Sequence, residues 1–380
     1  MPSGLMRKLN AMRTTAAAPS RVPVRELVTR VFSCKADERL FSLSPSALRR
    51  LGYNGPVFHI ERALFLDTET TGLSGGAGTV AFLVGVGWVK DGYFTVEQYL
   101  MPDYSAEGEL LRRLSQRFQN FDTVVHFNGT AFDMPLLRSR FVLMRMEDEW
   151  KEMDQLDLLK PARRLWKLRI GGCRLAQLEE KVLGLPQRDD IPGREIPQRY
   201  FDAVKTGSLT GLEDVIAHNR QDIVTLTHLL CVLAERFGEP EKTEEQLDIF
   251  SLGKALEKQG ELTQARRLYH MAAVPRTLNT VKDLIGEKYA GEANFRLYHM
   301  YRRMGDYAQA ELVLKSMVRR RQMGRVPKLE LAKLYEHRLK NYEQALQATR
   351  ELLSCCPPDE AEALCKREKR ILEKMRRSGG

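Results

Sequence analysis

The chain has 380 residues, a formal net charge of +10, 43% hydrophobic and 29% charged side chains. This length predicts two domains, and no run approaches the roughly 18 consecutive apolar residues of a membrane-spanning helix. The amino-terminal MPSGLMRKLNAMRTTAAAPSR is basic but lacks the apolar block of a secretory signal. The six cysteines show neither a CxxC pair nor metal-ligand spacing, so reduced thiols in a cytoplasmic protein are expected.

Residues 1–60 carry ten Arg/Lys against three acids, and residues 366–377 seven against two, which leaves the middle slightly acidic. Basic ends around an acidic centre suit arms that attract polyanions beside a metal site. Solvated tails would look the same.

Residues 1–55 have little pattern, so a basic amino-terminal extension with one short helix around Arg25–Phe32 is expected. Ala63–Leu66 is an apolar run entering Asp67, the mark of a buried strand. Thr70–Gly78 reads as a turn; Ser74–Gly78 lacks the Gly-Lys-Ser/Thr and the following helix that a phosphate-cradling loop needs. Thr79–Val89 and Tyr93–Leu100 are strand-like and joined by Lys90-Asp91-Gly92, a hairpin signal. A helix opens at Ser105, a strand follows at Thr123–Phe127, and helices are expected near 134–145, 174–183 and 211–236. Hairpin-linked strands followed by alternating strands and helices predict a mixed α/β sheet.

Beyond Gly238-Glu239-Pro240 the strands stop. Met304–Ala310 aligns with Leu339–Ala345, 35 residues on, and Gln259–Ala265 is a weaker echo. This helical region, 241–377, resembles tetratricopeptide (TPR) repeats, whose helix pairs stack on their neighbours and can bind protein partners.

Three acidic motifs carry the chemistry. Asp67 and Glu69 are two apart at the end of a strand and therefore face one side. An apolar strand leading into two carboxylates calls for a compensating cation, although a turn-capping pair has the same spelling. Asp133 follows a strand and turn, His126–Phe132, and precedes Pro135; singly, it reads as a helix N-cap. His218 and Asp222 are four apart on a helix, with Asp222 at the edge of the stripe Leu212, Val215, Ile216, Ile223, Leu226 and Leu230. A salt bridge would equally place an acid there.

Taken in order, DTETTG, FNGTAFDMP and HNRQD resemble the three motifs of the DEDD superfamily of 3′–5′ exonucleases, which have a ribonuclease H-like fold. Within it the chain is similar to the bacterial YprB-like group, which joins such a core to carboxy-terminal TPR-like helices. The resemblance covers roughly 60–235 well and the tail loosely. It implies a ribonuclease H-like mixed five-stranded sheet with flanking helices over 56–238, then an all-α TPR-like domain. It implies that Asp67, Glu69, Asp133 and Asp222 hold two Mg²⁺ or Mn²⁺ ions beside a phosphodiester of DNA or RNA, as hard cations with oxygen ligands would.

His218 is the candidate base. The superfamily has a branch with His and four intervening residues before the last Asp, and another with Tyr and three. This chain has His with three, so His218 either fills the Tyr position and orients water or stands slightly off. Thr70, Asn128, Arg164 and Trp166 are candidate substrate contacts. In Asp154–Lys167, cations interleaved with Trp166 suit a phosphate backbone and stacked bases; a helix burying Leu158, Leu165 and Trp166 fits as well. Asp157 is a possible supporting acid, and Asp189–Pro197 a loop that borders the substrate or connects helices. The expected function is a metal-dependent exonuclease acting on single-stranded ends. The alternative is a non-catalytic nucleic-acid-binding adaptor that uses its helices for protein partners.

Overall fold

The computed structural model describes residues 26–72, 78–147, 151–186, 191–274 and 281–378. The expectations for 1–25, for most of the Ser74–Gly78 turn and for the start of the Asp189–Pro197 loop lie outside them. By contact density the chain divides into two units. The first comprises residues 52–159 and 178–231 with the amino-terminal segment to 45; the second comprises 46–51, 160–177 and 232–380. The second unit thus draws on two short segments far upstream of the expected boundary at 238–241.

The first unit is built on six strands: β1 (Val28–Lys35), β2 (Ala63–Thr70), β3 (Ala81–Lys90), β4 (Tyr93–Leu100), β5 (Thr123–His126) and β6 (Asp154–Asp157), in the order β1-β4-β3-β2-β5-β6. The first four pair antiparallel, while β2–β5 and β5–β6 are parallel. The sheet is therefore mixed, with one strand more than expected. That strand is β1, which overturns the short helix read around Arg25–Phe32. Val28-Thr29-Arg30-Val31-Phe32 is rich in β-branched and aromatic residues and zips along the free edge of β4, from Val28 opposite Leu100 to Lys35 opposite Tyr93. The β3–β4 hairpin turns where expected, with Asp91 and Gly92 both at positive φ (50° and 79°), as a two-residue turn that follows the strand twist requires.

Numbered in chain order, the α-helices as far as residue 238 are α1 (Pro45–Leu51) and α4 (Leu159–Ile170), which group almost wholly with the second unit, α2 (Glu107–Phe118), α3 (Asp133–Leu143) and α6 (Ile196–Thr206) of the first, and α5 (Leu175–Lys181) and α7 (Glu213–Gly238), which contribute to both. Leu110, Leu111, Leu114 and Phe118 of α2, Leu137 and Phe141 of α3, and Leu212, Val215 and Ile216 at and after the start of α7 close on Leu64, Leu66, Phe82 and Val84 of the sheet. Close approach of α7 to β3 depends on two glycines. A Cβ on Gly85 would stand 2.2 Å from Asn219 Oδ1 and 2.3 Å from Ile223 Cδ1, and one on Gly87 2.8 Å from Ile223 Cγ2.

The second unit continues with α8 (Gln246–Lys258), α9 (Leu262–Ala272), α10 (Val281–Met304), α11 (Tyr307–Arg319), α12 (Val326–Leu334), α13 (Tyr342–Leu353) and α14 (Pro358–Ser378), each packed mainly on its neighbours in sequence. The three echoed sequences form one turn repeated. A residue at positive φ, Gly260 (84°), Gly305 (78°) or Lys340 (54°), ends one helix. In the latter two, Asp306 and Asn341 then cap the next by accepting from the amides of Gln309 and Gln344. After α12 a π-helical turn, Tyr335–Leu339, buries Glu336 beneath Arg367, Arg370 and Lys374 of α14. Among the described residues no helix is long and apolar enough to cross a membrane.

Candidate active site

Asp67 and Glu69 lie on β2 opposite Gly85 and Leu83 of β3, and the pairing shifts register just after Glu69. An irregularity of this kind re-aims the end of a strand. Asp67 is half-buried, and its carboxyl accepts 2.8 Å from the Asn219 amide of α7, which also donates to the Asp67 carbonyl at 3.2 Å. Asn219 is fully buried and is itself fixed, because Gln98 Nε2 donates to its Oδ1 at 2.8 Å and to the Ile216 carbonyl at 2.8 Å.

The second motif is a tight loop after β5. Asn128 adopts φ 68°, and its amide donates 2.8 Å to Asp157 Oδ1, which also accepts from the Leu159 amide at 3.1 Å. The Gly129 amide donates to His126 Nδ1, and a Cβ there would stand 2.6 Å from the His126 ring. Asp157 therefore supports the loop through its backbone. Asp133 opens α3 but does not cap it, since Phe132 holds the cap position without a side-chain bond. The Asp133 carboxylate instead accepts from the Thr68 hydroxyl of β2.

From α7, His218 Nε2 stands 3.6 Å from Glu69 Oε1 and 3.6 Å from Asp222 Oδ2, all three side chains being less than a fifth exposed. The three motifs thus meet across β2, β5–α3 and α7. Burial and then the charges of Asp222, Glu69 and Asp133 hold the Asp67 carboxyl well above the usual range, against the Asn219 hydrogen bond that favours its ionised form. Asp133 is pushed up to about 6, chiefly by burial, with Asp157 adding to it and the Thr68 bond opposing. Carboxyls that raise one another's proton affinity form a site that gains from a cation. Among the described residues no three His, Cys, Asp or Glu side chains close into a ready cage. The donors are nonetheless oxygen atoms on an open cleft, which fits Mg²⁺ or Mn²⁺, ions that take few protein carboxylates and complete their shell with water and phosphate.

A cavity of about 450 Å³ adjoins Asp67, lined by Thr68, Thr70, Asn128, Phe132 and Asp133 among others. Thr70 and Asn128 therefore stand at the cleft. Arg164 and Trp166 belong to the second unit. Trp166 is 1% exposed, so the expectation that it stacks on bases is overturned: helical phase turns its ring into the core with Leu165. Arg164 donates to the carbonyls of Arg50 and Leu51 at the end of α1. Sequence reasoning missed three residues. Asn219 was visible inside HNRQD; Gln98 had no local signal; Phe132, 56% exposed on the cavity, was signalled only as an aromatic in a polar loop.

A mixed sheet carrying acids on its central strand, on the following parallel strand's loop and on a crossing helix defines a ribonuclease H-like protein. The chain belongs to the RNase H superfamily. A family model described as the RNase_H superfamily matches residues 64–234. "Uncharacterized protein YprB" of Bacillus subtilis (strain 168) is 30% identical over 321 residues, spanning 82% of this chain and 74% of that protein. The structure of the family B DNA polymerase from the archaeon Pyrobaculum calidifontis is also similar, at TM-score 0.35 and 13% identity, over 85% of this chain and 47% of that one. The superfamily supports an enzyme of the nuclease or phosphodiesterase kind acting on nucleic acid.

Proposed function

We propose that this protein is a metal-dependent 3′–5′ exonuclease that shortens single-stranded ends of DNA or RNA. The observation that carries this is the convergence of the four acids: Asn219 holds Asp67, Thr68 of the same strand holds Asp133, and His218 stands 3.6 Å from both Glu69 and Asp222, while burial and then the charges of Asp222, Glu69 and Asp133 raise the proton affinity of Asp67. Two divalent ions held by these carboxylates would activate a water and offset charge on the departing oxygen. The chain's own contribution is arrangement and proton handling. Asn219 fixes the direction of Asp67, and Thr68 that of Asp133. His218, between Glu69 and Asp222, takes the proton of the attacking water. Thr70 and Asn128 contact the substrate backbone, and the exposed Phe132 ring stacks on a base. The carboxy-terminal helices, TPR-like in their repeated turn, serve a protein partner or the substrate itself.

The test is incubation of end-labelled single strands with Mg²⁺ or Mn²⁺, the label at either end and the 3′ terminus free or blocked. Stepwise shortening from a free 3′ end is expected, with Asp67→Asn and Asp222→Asn each slower by on the order of a thousandfold. No shortening by the parent, or equal cutting by both variants, removes the catalytic reading. Calorimetric titration with Mn²⁺ separates this from a non-catalytic adaptor, which would bind strands but no metal.

A further inference from the structure

The second unit contains a groove that the proposed chemistry does not use. About 610 Å³ in volume, it runs between α4, α8 and α10. Arg163 and Lys167 line one wall a helical turn apart, and Lys254 and Lys258 line the other at the same spacing. All four are exposed. Among the described residues none of the four makes an ion pair with a carboxylate. Lys254 instead lies 5.7 Å from the centre of the Phe250 ring. Among the described residues the single acid on the lining, Glu292, is paired with Arg296 at 3.4 Å. The half-buried Tyr289 ring, also on the lining, packs 5.2 Å from Phe250, with Lys288 Nζ 5.6 Å from its centre. Arg164 adds a fifth positive charge, with its Nε buried and lacking a hydrogen-bond partner.

We infer that this groove binds the backbone of single-stranded nucleic acid. Two rows of unneutralised cations with a helical-turn spacing of roughly 6 Å match a run of successive phosphates, and the Tyr289 ring on the lining gives a base a partner. An isolated phosphate would leave most of the volume and charge unused. An acidic peptide could meet the charge, but only a nucleic acid carries a flat ring on every anionic repeat. The inference deepens the proposed function by assigning a substrate-holding surface outside the carboxylate cleft, and it rests on that reading only for the identity of the strand.

The experiment measures binding of labelled oligothymidylate and oligouridylate to the full chain by fluorescence anisotropy in excess EDTA, so that no hydrolysis intervenes. Replacing Arg163, Lys167, Lys254 and Lys258 together by Gln is expected to weaken binding at least tenfold. It should also flatten the dependence of log K on log salt by about 2.8, roughly 0.7 per lost contact on a single strand. Lys254→Glu/Lys258→Glu, on exposed positions of one helix, gives a second reading with a larger loss. Unchanged affinity and slope in both variants, each melting like the parent, overturns the inference. So does polyglutamate that displaces the strand equally well at matched charge. Turnover of a dinucleotide, which needs the carboxylate cleft alone, should persist in the quadruple variant. A chain that binds strands through the groove yet never cuts them would retire the nuclease reading and keep this one.

Discussion

Asn219 is the residue on which the arrangement of the cleft turns. It bridges Gln98 of β4 and Asp67 of β2, so it fixes the direction of a carboxylate that three other acids repel. Asn219→Ala would leave the Gln98 amide and an Asp67 oxygen without their buried partner, at about 1–3 kcal/mol of stability. Because residues that orient ligands tune affinity through them, Mn²⁺ binding by calorimetry should weaken roughly 10–100-fold. Unchanged metal affinity in a stably folded variant would make Asn219 a packing residue only. Phe132 predicts a different pattern. Removing its exposed ring should raise KM roughly 5–150-fold, corresponding to about 1–3 kcal/mol for one stacked base, with kcat little changed; a fall confined to kcat would contradict the stacking role.

At the scale of elements, the contact between α7 and β3 sets the distance from His218 and Asp222 to Glu69. Gly85→Ala forces a methyl against Asn219 and Ile223, so about 1–3 kcal/mol should be lost in urea unfolding and hydrolysis should fall more steeply than stability alone explains. In the helical unit, burial would push the Glu336 carboxyl up. Hydrogen bonds from Arg370 and Lys374 and the surrounding charges instead hold it at about 2, against an ordinary 4.5. A depressed folded pKa means that the unfolded chain takes up the proton first. This stabilisation is therefore complete above about pH 4.5 and lost as pH falls toward 2. Glu336→Gln, which takes a buried carboxylate away from cations that are themselves partly exposed, should cost about 1–3 kcal/mol at neutral pH, and its melting temperature should converge on that of the parent only in acid. A constant gap down to pH 2 would show that the ion cluster contributes nothing there.

Elements announced by local pattern were the ones legible in the sequence. The apolar run into Asp67, the Asp91-Gly92 turn and the three acidic motifs each carry their signal within a few residues. What stayed hidden depends on partners far along the chain. β1 reads as unpatterned because its side chains are mostly exposed; only the free edge of β4 makes it a strand. Gln98 meets Asn219 across 121 positions, which no local spacing reports. Trp166 had two readings of equal weight, a contact surface and a buried ring; helical phase decides which way the ring turns, and it is buried.

Taken whole, the protein links a carboxylate cleft in one unit to a helical array in the other. Divalent metal should raise the melting temperature of the parent by mass action, by the equivalent of about 2.7 kcal/mol at a hundredfold excess over Kd, and should leave an Asp67→Asn/Asp222→Asn variant where it was; an equal rise in both would mean that the ions bind elsewhere. The interleaving of the two units also has a bearing on synthesis. Arg50 finds its carboxylate partner, Glu261, 211 residues later, and Arg169 finds Asp248 after 79. At about 5–20 residues per second on the ribosome, the first of these waits is roughly 10–40 s, during which α1 has left the exit tunnel without the helices that cover it. A truncated product ending near residue 240 would keep that condition permanently, so its α1 and α4 should be open to protease in a nascent-chain digest that the finished protein resists.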